Sequence, residues 1–418
     1  MFKRFNIFLS SSIFIFFTHA TARTLEIGPG KTYTKPSAVV GLTKDGDTVL
    51  IAPGLYTGDV ATWSANNLVL RATDKYAHLD AAGKNAAGKG TWVITGNNCK
   101  VENIEFSGAA VPDSNGAGIR QEGKNVTIRN CYFHDNENGI LTDAGNSNIL
   151  IEYSEFSNNG FGDGYTHNIY IGNVTSFTLQ FCYTHNSKIG HNVKSRALKN
   201  SILYNRIMSE TEGTTSYEID FPDGGEAYVI GNSVQHGLKT DNPIMITYGE
   251  ESLKNPKKEI YIVNNTLVND RNSTFISVKT GTTTVKVINN LYVGTGTLLS
   301  GTGDTLGNLR TTKASFIDPA AFNYRLLAGS AAIDKGVDLG SANGFSLSPV
   351  FQYVEKNNGE GRSSVGKLDV GAFEFGSGNG IRKTGQTHPY FENHFYWFNL
   401  LGQSSNDLPT KWDKFYYN

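Results

Sequence analysis

Eight six-residue blocks recur along the chain, at 101–106, 128–133, 151–156, 179–184, 202–207, 229–234, 262–267 and 287–292. Their last residues are 27, 23, 28, 23, 27, 33 and 25 positions apart. Each block opens on an apolar residue and most close on one, the mark of short strands. No such strand can bury its apolar face alone, so the units must stack. A recurrence of this length with unequal steps fits the coil of a β-solenoid whose loops vary in size. Abundant Gly, Asn, Thr and Ser and few helix-forming runs agree with short strands joined by many turns.

The fourth position of the last four blocks is Asn205, Asn232, Asn265 and Asn290. Stacked at the strand spacing of about 4.8 Å, each amide reaches the next, which predicts an asparagine ladder within the turns. Cys131 and Cys182 hold the same position two coils apart, with Ser154 between them. That separation, roughly 9 to 10 Å, exceeds the Cα distance of about 7 Å that a disulfide tolerates. With Cys99 on another wall, the expectation is three buried thiols, no disulfide and no zinc site.

Residues 1–22 carry Lys3 and Arg4, an apolar run at 5–17 and the small-x-small series Ala20-Thr21-Ala22, which reads as a signal peptide cleaved after Ala22. Export to a periplasm or the extracellular space is expected. No membrane span is expected, because no apolar run approaches about 20 residues. Residues 23–375 read as one elongated domain and 376–418 as an aromatic-rich tail folding back over the last coil. The 37 basic and 38 acidic residues give no reason to expect nucleic acid or a membrane surface as partner. Nothing in the pattern demands a second subunit, so a monomer is expected.

The segment 45–56, Asp-Gly-Asp-Thr-Val-Leu-Ile-Ala-Pro-Gly-Leu-Tyr, resembles the opening coil of the pectate-lyase-like β-helix superfamily, with 35–43 as its capping helix. Residues 322–334 and 368–374 are similar to the closing region of bacterial members. The resemblance implies an all-β fold, a single-stranded right-handed parallel β-helix with an N-terminal cap. It leaves function open, since this scaffold carries lyases, hydrolases, epimerases and binders.

A second strand follows each block after a turn, at 118–122, 139–143, 168–171, 192–196, 217–221 and 243–246. Alternation sends Ile119, Ile140, Ile169, Val193 and Ile219 inward. Arg120, Glu122, Asp143, Tyr170, Lys194, Arg196, Glu218 and Asp220 are then expected outward, with His167 and His191 one step before the strand. The neighbouring wall reads as Asn, Thr and Ser, and His134, His185 and His236 as plain surface residues in turns. The charged wall suits a solvated face with ion pairs of about 0.2–1 kcal/mol each. The gathering of Lys, Arg, two His, Tyr and several carboxylates within three coils favours instead a groove for an acidic polysaccharide.

Cleaving a uronic-acid glycan by β-elimination requires neutralising the sugar carboxylate, removing the C5 proton and protonating the leaving oxygen at C4. Lys194 and Arg196, two apart on one face, suit base and carboxylate clamp; the acid is Tyr170, Tyr217 or one of the two histidines. The candidate catalytic residues are therefore Lys194, Arg196, Tyr217 and Asp220. The candidate substrate-binding residues are Arg120, His167, Tyr170, His191, Glu218 and Asp223. No cofactor is required. A Ca²⁺ ion bridging substrate and wall carboxylates would need only oxygen ligands, although no loop spells a calcium motif.

Residues 193–195 followed by 217–225 are similar to the site region of β-helix alginate and dermatan lyases, where a Lys-Ser pair is followed by an Arg on the next coil. Asp220 stands where that Arg would be, so the resemblance carries over only to Lys194. The same stretch resembles mannuronan C5-epimerases, whose Tyr-x-x-Asp-Pro-His is matched by Tyr217, Asp220 and Pro222, with Phe221 inserted and Asp223 in place of His. Epimerisation shares the first proton abstraction with elimination. Glycoside hydrolysis by Asp220 with Asp223 or Glu218 lacks the paired-Asp and Gly-His-Gly motifs of β-helix polygalacturonases. A non-catalytic glycan-binding or surface protein would use the same wall for recognition alone.

Overall fold

The computed structural model describes residues 22–363 and 366–377. The expected signal peptide up to residue 21, and the expected tail beyond Ser377, lie outside the described residues. The main body is a parallel β-helix of three walls. Twelve strands form the first wall, from Thr24–Ile27 to Asp304–Leu306, and eleven the second, from Gly54–Leu55 to Leu309–Thr311. Ten form the third, from Ala61–Trp63 to Leu299–Ser300. The chain visits the walls in turn, so each strand pairs in parallel with the strand one coil later. The expected capping helix is the 3₁₀ helix Pro36–Leu42, which buries Pro36 and Val39 and packs on Ala61–Trp63.

Parallel in-register pairing puts like side chains in columns. Ile119, Ile140, Ile169, Val193, Ile219, Ile246 and Ile276 form one column along the third wall, each fully buried. Phe106, Phe133 and Phe156 stack face to face inside the second wall, with ring centroids 5.0 and 4.6 Å apart. Each such ring removes about 150–250 Å² from water.

The corner between the first and second walls takes two residues. The first adopts a left-handed backbone: Asn103, Asn130, Asn264 and Asn289 accept it readily, while Tyr153, Phe181 and Tyr204 do so at φ of 51°, 55° and 56°. Those three rings stack outside the corner at 5.2 and 5.7 Å, and Phe351 closes edge-on over Phe181 and Tyr204. The second corner residue builds the ladder. Asn205, Asn232, Asn265 and Asn290 each donate Nδ2 to the Oδ1 of the next, at 3.0, 3.0 and 2.9 Å, and Asn308 extends the run at 3.0 Å. Towards the N-terminus, Cys131 N donates to Ser154 Oγ and Cys182 N to Asn205 Oδ1. The three cysteines are free and buried, and burial pushes the Cys131 thiol up to about 12.

A second buried ladder occupies the corner between the second and third walls. Asn136 donates to Asn159, Asn159 to Asn168, Asn168 to Asn192 and Asn192 to Glu218 Oε2, at 2.9, 2.9, 2.7 and 2.5 Å. Glu218 also meets Ser209 and His236 Nδ1. This corrects the outward placement of Glu218. The carboxylate is fully buried as a rung of the ladder, since the residue before the strand belongs to the corner and escapes alternation. His236, expected on the surface, is fully buried beside it. His134 and His185 are likewise not loose turn residues: they end second-wall strands and their side chains are only 18% and 13% exposed.

After Thr311 the chain leaves the coil and folds back along the outside of the second wall. Phe316, Tyr324, Val370 and Phe373 pack there against Met208, Val268, Leu291 and Val293. Asn264 Nδ2 donates to the carbonyls of Asp369 and Gly371, and Thr266 Oγ1 accepts from Ala372 N.

Removing an interior rung leaves buried partners unmatched, at about 1–3 kcal/mol each. Asn232→Ala should therefore cost at least about 2 kcal/mol. Asn148→Ala, on an exposed run of amides, should stay within about 0.5 kcal/mol. Urea unfolding of both variants, with equal losses, would contradict the assignment of stability to the interior ladder.

Candidate functional site

Register fixes the candidate site on the third wall. Arg120, Leu141, Tyr170, Lys194, Asp220, Thr247 and Ser277 occupy one column on successive strands. Lys194 therefore lies one strand from both Tyr170 and Asp220. Lys194 and Arg196 share the outward side of Val193–Ser195 and its continuation, as alternation predicts.

A loop that periodicity did not reveal closes over them. After Ile244–Tyr248 the chain turns back, with Gly249 N donating to Phe221 O and Ser252 N to Pro222 O. Asn255 Nδ2 pins its far end to the Ala197 and Gly224 carbonyls. This loop delivers Glu251, whose two carboxylate oxygens accept from Arg196 Nη2 at 2.9 and 2.7 Å; Oε1 also accepts from Lys194 Nζ at 3.1 Å. Two cations thus converge on one half-exposed carboxylate. Arg196 and Lys194 outweigh partial burial and hold the Glu251 carboxyl below the usual carboxylate range.

Arg196 is braced elsewhere too. Its Nε donates to Tyr170 Oη at 3.0 Å and its Nη1 to Asp223 Oδ2 at 3.0 Å. Burial works against its charge, but Tyr170, Glu251 and Asp223 more than compensate, and its pKa is raised. Tyr170 lies beside both cations, its ring centroid 5.5 Å from Lys194 Nζ and 5.8 Å from the Arg196 guanidinium carbon. Asp223 is 1% exposed and also receives Ser252 Oγ and Lys254 Nζ. It positions the guanidinium and offers no free face to a substrate.

Behind the cations is a dry layer. His167 and His191 are buried and stacked with centroids 4.5 Å apart, and His191 N donates to His167 Nδ1 at 2.9 Å. Burial, reinforced by Lys194 and Arg196, lowers both imidazoles well below their ordinary range, so they stay neutral. Asp220 is 2% exposed, with Oδ2 3.5 Å from His191 Nε2 and 3.8 Å from Lys194 Nζ. Its Oδ1 has no hydrogen-bond partner among the described residues. Burial pushes the carboxyl up to about 7, against the pull of Lys194. Tyr217 lies over His191, centroids 4.8 Å apart, and burial with Glu250 and Asp220 nearby raises its hydroxyl to about 12.

The structure thus brings together Tyr170, Lys194, Arg196, Asp220 and Asp223, backed by His167, His191 and Tyr217. Arg120 stands apart, two strands upstream of Tyr170 and paired with Asp143 at 2.8 Å. Glu218 belongs to the interior. The carboxylates of this cluster are already answered by cations and are not free for calcium: Glu251 and Asp223 are engaged by Arg196, Lys194 and Lys254, and Asp220 sits beneath Lys194.

A family model described as "Right handed beta helix region" matches residues 82–166. The chain is a right-handed parallel β-helix. Among solved structures the β-helix is similar to pectate lyase Pel9A, with a TM-score of 0.58 and 14% identity over 85% of this chain and 97% of that one. An alginate lyase from Paenibacillus sp. str. FPU-7 aligns with a TM-score of 0.42 and 14% identity, over 68% of this chain and 97% of that one. At such identities the likeness concerns the fold. No curated protein sequence matches the β-helix chain. No helix among the described residues is long and apolar enough to cross a membrane.

The buried carboxyl gives the site a pH signature. Asp220 titrates near 7 when folded and near 3.9 when unfolded. Between those values the native state binds the extra proton, so this group's contribution to stability falls as pH rises. The neutral histidines act in the opposite sense below about pH 6.5, so the comparison must be made against a variant. Asp220→Asn should gain on the parent by about 2 kcal/mol or more between pH 5 and pH 8, at 1.4 kcal/mol per pKa unit. Urea midpoints at the two pH values test this; an unchanged difference would mean that Asp220 titrates normally.

Proposed function

We propose that this β-helix protein acts on a polysaccharide, cleaving a uronic-acid-containing glycan by β-elimination, with Lys194 as base. The observation that carries the proposal is the seat of Glu251. Lys194 and Arg196 already hold a carboxylate on the outer wall, Arg196 Nη2 meeting both its oxygens and Lys194 Nζ one of them. A uronate carboxylate has the same charge and shape. Bound there in place of Glu251, it brings its sugar ring over the column Tyr170–Lys194–Asp220.

In this reading Arg196 holds the substrate carboxylate and stabilises the charge that develops as the C5 proton leaves. Lys194 takes that proton. The freed electron pair forms the C4–C5 double bond and expels the glycosidic oxygen from C4. Tyr170 is the acid best supported by position, because it lies beside both cations, whereas His167 and His191 are buried behind them. The hydroxyl proton goes to the departing oxygen. Asp223 and Asp220 position the two cations, and Arg120 lies further along the wall, within reach of a longer chain.

Incubation with alginate, polygalacturonate, dermatan and glucuronans should raise the ultraviolet absorbance of a 4,5-unsaturated uronate on at least one polymer. Lys194→Ala should lose about 10²–10⁴-fold in rate. Glu251→Ala should lower KM several-fold, because the internal carboxylate no longer competes. Deuterium entering C5 from heavy water without that absorbance would replace the lyase by an epimerase. Neither signal on any polymer would leave recognition without catalysis.

A further inference from the structure

The outer face of the second wall gathers two histidines and a carboxylate. Ala77–Asp80, Ile104–Ser107 and Tyr132–His134 are successive strands of that wall. His78 and Glu105 are register neighbours, as are Ser107 and His134. On the outer face, His134 Nε2 lies 3.1 Å and His78 Nδ1 3.7 Å from Glu105 Oε1. One ligand atom from each residue falls within 4.8 Å of the other two. Atoms bound tetrahedrally at about 2.0–2.2 Å from a zinc ion stand about 3.3–3.6 Å apart, which is the scale of these separations.

The outer nitrogens are held from behind. His134 Nδ1 is 2.9 Å from Asp135 Oδ2, and an ionised carboxylate only accepts, so that nitrogen carries a proton; Nε2, 3.1 Å from Glu105 Oε1, carries a second one in the metal-free protein. His78 Nε2 is 2.7 Å from Ser107 Oγ. A divalent cation bound here displaces the proton that Nε2 of His134 shares with Glu105; with the far nitrogens donating to Asp135 and Ser107, two imidazole lone pairs and a carboxylate oxygen then converge on the ion. A ligand imidazole whose far N–H is fixed by an oxygen acceptor is the usual support of a metal site. Side-chain exposures of 28%, 22% and 18% leave an approach for the ion and room for water as further ligand.

A similar cluster further along the same wall serves as contrast. His185 lies 3.2 Å from Glu155 and 3.6 Å from Glu210, but Lys356 Nζ sits 2.6 Å from Glu155 and supplies the cation. We propose that His78, Glu105 and His134 bind a divalent transition-metal ion of the zinc class, which clamps three successive coils from outside. The site is separate from the Lys194 wall and does not depend on the lyase reading.

The test is titration of the tag-free, chelator-stripped protein with zinc chloride by calorimetry, repeated with cobalt(II) to read its visible absorption. One equivalent should bind and raise the melting temperature. His134→Ala and Glu105→Gln should each weaken binding at least about 100-fold and Ser107→Ala about 10-fold, with His185→Gln unchanged. Circular dichroism checks that each variant folds, and Glu105→Gln keeps the side-chain shape. Absence of zinc binding by the parent at millimolar metal, or equal binding by His134→Ala and Glu105→Gln, would overturn the proposal.

Discussion

A solenoid with corners this tight must bury backbone amides that no strand partner can reach. Two stacked side-chain ladders resolve this. In the first, each asparagine Oδ1 accepts both the backbone N–H and the side-chain amide of the coil before it, as Asn265 does for Asn232. Its own Nδ2 donates to a first-wall carbonyl and to the next rung. The corner amides along the ladder are thereby satisfied, and unmatched buried amides would each cost about 1–3 kcal/mol. Register follows from the same contacts, because a slip of one residue would break the ladder and turn every apolar column outward. The column of Tyr170, Lys194 and Asp220 inherits its geometry from that lock.

The parts of this arrangement that repeat were legible in the sequence. Asn205 to Asn290 occupy one position of a recognisable block, and Lys194 and Arg196 follow from simple alternation around the buried Val193. The second ladder was hidden because its rungs change type, from amide to carboxylate. Their spacing also varies, with Asn159 and Asn168 only nine positions apart. Glu218 was misplaced for the same reason: it precedes Ile219 by one residue, but as a corner residue it turns inward to Asn192, Ser209 and His236. Glu251 had no periodic signal at all, since it arrives on a loop. The His78 cluster joins residues one coil apart, and only the assembled register shows that they meet.

The charged wall is not an open patch of positive potential. Lys194, Arg196 and Lys254 are answered by Glu251, Asp223 and Asp220 within a single layer. A polyanion approaching it gains little from long-range attraction, which is screened beyond about 10 Å in ordinary salt. Under the proposed function it must instead exchange its own carboxylate for that of Glu251. Such an exchange conserves charge at the cations, so the net gain comes from the sugar's contacts with the column and from returning Glu251 to water. Selectivity then rests on shape along the wall. A free uronate offers the carboxylate without those column contacts, whereas a polymer spanning from Arg120 to Asp220 adds contacts on every strand it crosses. The half-exposed Glu251 is the one carboxylate of the layer able to yield. Asp223 and Asp220, at 1% and 2% exposure, are held beneath the cations and keep them aimed outward when it does.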